Sequence, residues 1–448
     1  MNPHTTGPAA APAPAPPPVR SAPAPAVPRP TDPERWPDVA RLPRASAVRT
    51  ATARLLLRRA LDGLPLRVAY PDGSMTGDGG PVLRLRDPEA FHRRIGAAGL
   101  IGFGESYMAG EWDAGPGDGP EAAGDLVGVL TVLAAHATEL VPAGLQRLRG
   151  LWARRRPLAQ ANTPAGAKEN IRRHYDLSND LFALFLDETM TYSSALFAGL
   201  PARWDELADA QRHKIDRLLD LAAVGPGTRL LEIGTGWGEL ALRAAHRGAR
   251  VRTVTLSEEQ RDLAARRVAA AGLADRVTVE LRDYRQLGGR YDAVVSVEMV
   301  EAVGAAYWPV YFRALAGLTA PGGRIALQTI TMAHDRMLAT ARTHTWIDKY
   351  VFPGGLIPSM TALEGAAAGH GLRVTQDSAF GPHYAETLRI WRERFAGRAE
   401  EVRALGFDDV FRRMWEFYLA YAEAGFRAGY LDVRQLLLTA APGPGEAR

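Results

Sequence analysis

The stretch Leu230-Leu231-Glu232-Ile233-Gly234-Thr235-Gly236-Trp237-Gly238 decides the fold. An apolar run carrying one acid ends in three glycines spaced two apart, and a helix-like segment follows from Glu239. The pattern reads as a strand turning tightly into a helix. Glycines at such a turn admit backbone conformations and a close ligand approach that a Cβ blocks, and the helix start offers unpaired N–H groups. The stretch predicts a site for a nucleotide-like ligand, with a plain strand–helix connection as the alternative.

Reading outward favours the ligand. Val251–Leu256 reads as a second strand ending at Ser257-Glu258-Glu259-Gln260, where acids and an amide can meet a ribose. A third strand, Val277–Arg282, ends at Asp283-Tyr284, and a fourth, Tyr291–Val297, ends at Glu298-Met299-Val300-Glu301. Polar residues at four successive strand ends are what an open α/β sheet places along its ligand crevice. The G-x-G-x-G spacing departs from the G-x-G-x-x-G of nicotinamide dehydrogenases and lies closer to methyltransferases that use S-adenosylmethionine. A sulfonium methyl donor is therefore the expected cofactor.

The chain has 448 residues, of which 46% are hydrophobic and 23% charged, enough for more than one domain with a substantial core. The expected class is α/β: a doubly wound, Rossmann-like class I methyltransferase domain with an aromatic-rich insertion, preceded by a small mixed α+β domain and a disordered tail. Alanine and proline dominate residues 1–45, the expected tail, which lacks the basic start and apolar run of a signal peptide. Residues 46–150 form the expected lipid- or dimer-contacting domain, with helices at Ala51–Leu61, Glu89–Ala98 and Leu126–Leu140 and strands at Leu66–Tyr70 and Val82–Leu85. Within it Gly102-Phe103-Gly104-Glu105-Ser106-Tyr107-Met108-Ala109-Gly110-Glu111-Trp112 reads as a tight turn packed by aromatics or as a functional segment. A basic linker, 151–168, leads to the catalytic unit at 169–440, and 441–448 is a second tail.

Later in the chain, Glu206–Leu221 and Tyr307–Leu318 have helical spacing, Pro321-Gly322-Gly323 reads as a turn, and Arg324–Ile330, Arg373–Phe380 and Gln435–Thr439 read as strands. The insertion Ala333–Ser359 carries Trp346, Tyr350 and Phe352 and suggests an apolar acceptor pocket. The helix Phe411–Phe426, with Trp415, Tyr418, Leu419 and Ala422 on one face, continues that lining or covers the sheet.

Cysteine is absent, which removes disulfides and cysteine-based metal sites or nucleophiles, and no metal site is expected. The formal net charge is +4, carried almost wholly by arginine, with lysine only at positions 168, 214 and 349. Five arginines flank leucines and a tryptophan in Gln146–Arg156, a mixture suited to anionic lipid headgroups or to a solvated linker. No nucleic-acid module accompanies it. The apolar run Leu126–Ala135 is too short to span a bilayer, so a cytoplasmic protein bound peripherally to the inner membrane face is expected.

Several strings coincide in order: His174-Tyr175-Asp176-Leu177-Ser178-Asn179-Asp180, Thr189-Met190-Thr191-Tyr192-Ser193-Ser194, the glycine loop, Thr255-Leu256-Ser257-Glu258-Glu259-Gln260, and Tyr350-Val351-Phe352-Pro353-Gly354-Gly355-Leu356-Ile357-Pro358-Ser359. Together they resemble the cyclopropane-fatty-acyl-phospholipid synthase and mycolic acid cyclopropane synthase family over residues 169–438. Gly104-Glu105-Ser106-Tyr107-Met108 resembles the N-terminal domain of its phospholipid-acting branch. The resemblance implies methyl transfer from S-adenosylmethionine to a cis double bond in an unsaturated acyl chain of a membrane phospholipid. It assigns Tyr192, Ser193, Gly234, Gly236, Leu256, Gln260, Asp283 and Tyr284 to the cofactor; Tyr192 and Ser193 rest on the resemblance alone.

The resemblance also implies a bound bicarbonate as base, with Glu301 and Tyr384 in the family's glutamate and tyrosine positions and Ser194 and Ile330 as backbone donors. Two departures stand out. Ser194 replaces a cysteine of many members, and Gln328, in Leu327-Gln328-Thr329-Ile330, replaces a histidine. Glutamine hydrogen-bonds an anion but cannot relay a proton. If the cation formed on the chain loses a proton from the new methyl at once, a cyclopropane closes; if a hydride shifts first, a methylene is left, the precursor of a methyl branch. The strings Glu-Met-Val-Glu-Ala-Val-Gly and Gln-Thr-Ile resemble an actinobacterial branch associated with 10-methyl fatty acids, so both products stand, the second with a partner reductase. A homodimer, a methyltransferase of a soluble small molecule and a non-catalytic lipid-binding protein are the further alternatives.

Overall fold

The computed structural model describes residues 31–115, 125–136, 178–341 and 343–441, with Thr163 and Gly166. The Pro/Ala-rich residues 1–30, the basic stretch 146–156, nearly all of the connector 157–168, the string 174–177 and the tail 442–448 lie outside the described residues.

In the first unit four short strands, β1 (Arg67–Ala69), β2 (Met75–Thr76), β3 (Val82–Leu85) and β4 (Trp112–Gly115), form a sheet in the order β2-β1-β3-β4. The helices Ala47–Leu61, Pro88–Ala98 and Leu100–Met108 complete a mixed α+β unit. Ordered packing starts before residue 45, where the tail was expected to end. Trp36 Nε1 donates to Asp408 Oδ2 at 2.7 Å, Val39 is buried, and Arg94 donates to the Val39 carbonyl at 2.7 Å. An indole and a guanidinium with partners across the fold hold this segment against it.

The string Gly102–Trp112 also departs from the expected turn, since Leu100–Met108 is helical. Glycine inside a helix costs about 1 kcal/mol relative to alanine, and here both glycines permit close approach. A Cβ on Gly102 would overlap the Arg94 carbonyl, and one on Gly104 would stand 2.5 Å from Trp346 Nε1. The expected aromatic packing is present, with Phe103 stacked on Trp112 at 4.6 Å.

The large sheet contains β5 (Arg229–Ile233), β6 (Arg250–Thr255), β7 (Val277–Leu281), β8 (Tyr291–Val297), β9 (Thr319–Met332), β10 (Leu372–Ala379) and β11 (Leu431–Ala440) in the order β10-β11-β9-β8-β5-β6-β7. Strands β5 to β9 run parallel, and β11 is antiparallel to both neighbours. Strand order reverses between β5 and β8, the switch point at which such sheets open a crevice. Strand β9 is longer than expected: Pro321-Gly322-Gly323 falls within it, across a register shift opposite Tyr291/Ala293.

Alternation along the strands fills both faces. Leu231, Ile233, Val294, Ile325 and Leu327 pack with helix Trp308–Leu318 on one side, and Leu230, Val251, Ala293, Val295 and Ala326 with helices Leu207–Leu221 and Glu239–His246 on the other. A third, aromatic-rich core joins the small unit to helices Gly381–Ala396 and Asp409–Arg427. There Trp346 lies edge-on to Phe417 at 4.8 Å. Gly104→Ala should therefore push the indole out of register and destabilise the protein by about 1–3 kcal/mol, the usual cost of overpacking. An unchanged thermal unfolding midpoint would show that the indole yields freely.

Candidate active site

The cofactor crevice is assembled from consecutive strand ends. Gly234, Gly236 and Gly238 all have positive φ (99°, 51° and 94°). A Cβ on Gly234 would stand 2.7 Å from Met299 Cγ, whereas one on Gly236 would meet nothing within 4 Å, so the loop keeps an open cradle in front of its middle glycine. The preceding acid, Glu232, is buried, and burial pushes its carboxyl up to about 8.

Two side chains tie the loop to its surroundings. Asn179 accepts from Trp237 Nε1 at 2.6 Å and donates to Glu259 Oε2 at 2.9 Å, joining the Ser178-Asn179-Asp180 string, the glycine loop and the end of β6. Arg267 donates to the carbonyls of Trp237 and Thr189.

The remaining cofactor candidates divide. Leu256 follows β6, and Gln260 is buried beside it, accepting from Thr255 Oγ1 at 2.8 Å. Ser193 accepts from Lys214 Nζ at 2.6 Å, and the Tyr192 and Tyr418 hydroxyls meet at 2.8 Å. Asp283 follows β7, but Arg285 grips both of its carboxylate oxygens at 2.9 and 2.6 Å. Tyr284 is buried with its ring edge-on to Tyr311 at 5.4 Å, so its side chain packs in the core next to β7.

Next to this cradle lies a hydrogen-bonded cluster built around a carboxylate that the sequence reading did not single out. Glu298 ends β8 with φ 51°, a left-handed conformation held by its N–H donating to the Gln328 carbonyl at 2.7 Å. Its Oε1 accepts from the Ser194 N–H at 3.0 Å and from Gln328 Nε2 at 2.9 Å, and its Oε2 accepts from the Tyr384 hydroxyl at 2.7 Å. Burial raises the Glu298 carboxyl, while the Lys214 charge, the Gln328 and Tyr384 side chains and the Ser194 N–H pull it back. Burial and the adjacent carboxylate hold the Tyr384 hydroxyl well above the ordinary tyrosine range, so it remains a donor.

Glu301, one turn on, serves differently. Its Oε1 accepts from the Ile330 N–H and from Thr329 Oγ1 at 2.9 Å, while its Oε2 is buried with no hydrogen-bond partner. Burial, then the nearby Glu298, push its carboxyl up to about 8. The five residues assigned from sequence thus form two sets: Ser194, Gln328 and Tyr384 converge on Glu298, and Ile330 pairs with Glu301. The signal for Glu298 is the first acid in Glu-Met-Val-Glu, a strand-end polar residue to which the sequence gives no role of its own.

Aromatic rings stand beside this pair. Tyr384 packs on Phe426 at 4.6 Å, Tyr192 on Trp391 at 5.3 Å, and Phe352 meets Tyr418 at 5.7 Å. Of the insertion's aromatics only Phe352 points this way. Trp346 and Tyr350 brace the small unit instead, because the buried Glu105 carboxylate needs partners: the Tyr350 hydroxyl donates to it at 2.9 Å and Lys349 forms an ion pair with it.

The family model described as mycolic acid cyclopropane synthetase matches residues 163–436. The chain belongs to that family. It is 56% identical over 417 residues to the tuberculostearic acid methyltransferase UfaA1 of Mycobacterium tuberculosis, covering 91% of this chain and 96% of that one. It is 31% identical over 367 residues to the cyclopropane-fatty-acyl-phospholipid synthase of Escherichia coli, covering 82% and 90%. Among solved structures, cyclopropane synthase MmaA2 from Mycobacterium tuberculosis and mycolic acid cyclopropane synthase CmaA1 complexed with SAH and CTAB each match with a TM-score of 0.56 and 32% identity, over 60% of this chain and 97% of theirs.

As a member of this family the chain is an S-adenosylmethionine-dependent C-methyltransferase. The open cradle at Gly236 fits the cofactor: a Cβ there would project into the space a ligand needs.

The buried acids set a pH dependence of stability. Glu301 is raised from 4.5 to about 8, so the folded state retains a proton that the unfolded state has released. Its stabilising contribution is complete below about pH 4.5 and is lost as pH rises through about 8. Glu232 acts in the same sense. Lys214, lowered to about 8, acts oppositely only at higher pH. Glu301→Gln should lose less stability than the parent between about pH 5 and pH 8, read as urea midpoints. Equal losses would place the Glu301 proton elsewhere.

Proposed function

We propose that the enzyme adds a methyl carbon to the cis double bond of an unsaturated acyl chain carried by a membrane phospholipid, and that its product is the methylene chain that precedes a methyl branch. Bound S-adenosylmethionine supplies an electrophilic methyl. The observation that carries the reading is the Glu298 carboxylate, fixed by three donors beside the cofactor crevice.

The alkene is a weak nucleophile, so it must be aligned in a water-poor pocket, and the cation left on the chain must be shielded. The faces of Tyr192, Tyr384, Trp391 and Phe426 suit that task, since aromatic rings attract cations. Glu298 is the base of this scheme. A proton passes from the new methyl to its carboxylate, and the freed C–H pair closes the new bond.

Which bond closes depends on timing. A carboxylate anchored by three donors cannot follow the new methyl, so in this reading a hydride shift along the chain precedes proton loss, and the C–H pair then forms a methylene double bond. The name of the relative at 56% identity, a tuberculostearic acid methyltransferase, supports a branched product. Conversion of the methylene to a methyl branch needs a hydride and a proton from a partner reductase. Cyclopropane formation is the second reading, supported by the 31% identity to the Escherichia coli synthase.

In this reading Glu298 replaces the bicarbonate implied by the family resemblance. The donors that would hold that anion are engaged: the Ser194 N–H, Gln328 and Tyr384 by Glu298, and the Ile330 N–H by Glu301. Glu298→Ala should therefore bind S-adenosylmethionine normally in calorimetry yet lose activity by roughly 10²–10⁴-fold, and added bicarbonate should restore part of it. Mass spectrometry of unsaturated phospholipid treated with methyl-labelled donor gives both rate and product. Wild-type turnover that rises with bicarbonate, or an active Glu298→Ala in its absence, would remove Glu298 as the base.

No helix among the described residues is long and apolar enough to cross a membrane. An anionic bilayer surface is the proposed partner of helix Ala47–Leu61, where Val48 (75% exposed) and Leu55 (51%) form an apolar strip between the exposed Arg49, Arg54, Arg58 and Arg59. Such a strip flanked by cations suits shallow insertion among acidic headgroups. Val48→Asp with Leu55→Asp should reduce co-sedimentation with phosphatidylglycerol vesicles while turnover of detergent-dispersed substrate persists. Undiminished co-sedimentation would place the membrane contact elsewhere.

A further inference from the structure

The contact between Gln328 and Glu298 contains an ambiguity that the rest of the structure resolves. A carboxamide has nearly the same shape in both orientations, but only one presents its NH2 to a carboxylate; the other sets oxygen against oxygen. Gln328 is 1% exposed, so water cannot correct a wrong orientation.

What fixes it lies behind the site. On β11, Gln435 stands directly opposite Gln328 of β9 in the antiparallel register. Gln435 Nε2 donates to Gln328 Oε1 at 3.1 Å and to the Lys214 carbonyl at 3.0 Å, so its own oxygen must face the other way. That oxygen accepts from Arg217 Nε at 2.6 Å. Arginine has no acceptor and keeps its charge at any physiological pH, so it is a donor of fixed sense. Arg217 is held in turn with its guanidinium 4.7 Å from the centre of the Phe380 ring. Donation thus runs one way from Arg217 through Gln435 and Gln328 to Glu298.

Resting on Glu298 as the base, we infer that Arg217 and Gln435 are positioning residues for methyl transfer: they lock the Gln328 carboxamide so that its NH2 faces the Glu298 carboxylate in every turnover. Neither belongs to the residue set that the sequence pointed to. With the lock removed only the Glu298 carboxylate and the Ser194 carbonyl, 3.4 Å from Gln328 Nε2, still favour this orientation; the carboxamide inverts more readily, and the carboxylate then faces a carbonyl oxygen and takes up a proton more easily. The other groups bearing on Glu298 are Lys214 from helix Leu207–Leu221, Tyr384 from helix Gly381–Ala396 and Glu301 from helix Val300–Val303. His383 and His213 lie near the Arg217 end.

The test compares Gln435→Leu, Arg217→Met and Arg217→Lys with the parent full-length enzyme. In the first two, kcat should fall between roughly tenfold and a hundredfold with KM for S-adenosylmethionine unchanged. The acidic limb of kcat/KM should move to higher pH, because a base that protonates more easily is lost sooner on acidification. Arg217→Lys, which retains a cationic donor, should recover most of both. An infrared titration without substrate follows the protonated-carboxyl band assigned by its absence in Glu298→Gln, and that band should persist to higher pH in Gln435→Leu and Arg217→Met. If Gln435→Leu does not fold, Arg217→Met decides, its side chain being only partly buried. An acidic limb and an infrared band that stay at the parent pH would overturn the inference. Failure of the parent to methylate unsaturated phospholipid would instead sink the proposed function and leave the infrared comparison valid.

Discussion

A carboxylate drawn away from water must be given donors, and Glu298 meets that demand at the reversal of strand order between β5 and β8. Left unpaired there, it would cost several kcal/mol or take up a proton. Its donors come from three separate parts of the chain: the Ser194 N–H from the loop ahead of the sheet, the Gln328 amide from β9 and the Tyr384 hydroxyl from the helix after β10. Lys214 adds a buried positive charge from a fourth. These elements are adjacent in the fold and distant in sequence, so the hydrogen-bonding demand of one group ties the end of β8 to the loop ahead of the sheet, to β9 and to the helix after β10.

The small N-terminal unit is joined to the same assembly by a comparable demand. Buried Glu105 takes its partners, Lys349 and Tyr350, from the insertion after β9, and Gly104 lets the Trp346 indole settle against the helix that carries Glu105. A segment expected to line the acceptor pocket thus faces two ways: Phe352 toward Tyr418, and Trp346 and Tyr350 toward the small unit.

Much of this was legible in the sequence. The alternating strands, the glycine loop and the polar strand ends follow from local rules of period and turn chemistry, and β5 to β8 fall where those rules put them. Ser194, Gln328, Tyr384, Glu301 and Ile330 were identifiable by family pattern, and all five lie in the two carboxylate clusters. The sequence could not show which carboxylate each donor serves, because that depends on the left-handed turn at Glu298, a conformation unusual for a residue with a Cβ. The packing of the Tyr284 ring was hidden for a related reason: a strand-end position does not say which neighbours a ring meets. Gln435 and Arg217 stayed silent because their part depends on the register between β9 and β11, set more than a hundred residues apart. The helical Gly102–Met108 segment was hidden by glycines that serve close packing rather than a turn.

The left-handed backbone at Glu298 costs about 1–2 kcal/mol, set, in the proposed scheme, against a base that is part of the chain. A dissolved anion has to be captured from the surroundings before each reaction and leaves when its site opens, so its occupancy follows its concentration. A tethered carboxylate has neither dependence. An enzyme built this way would run at the same rate whether the surrounding cell is rich or poor in carbon dioxide.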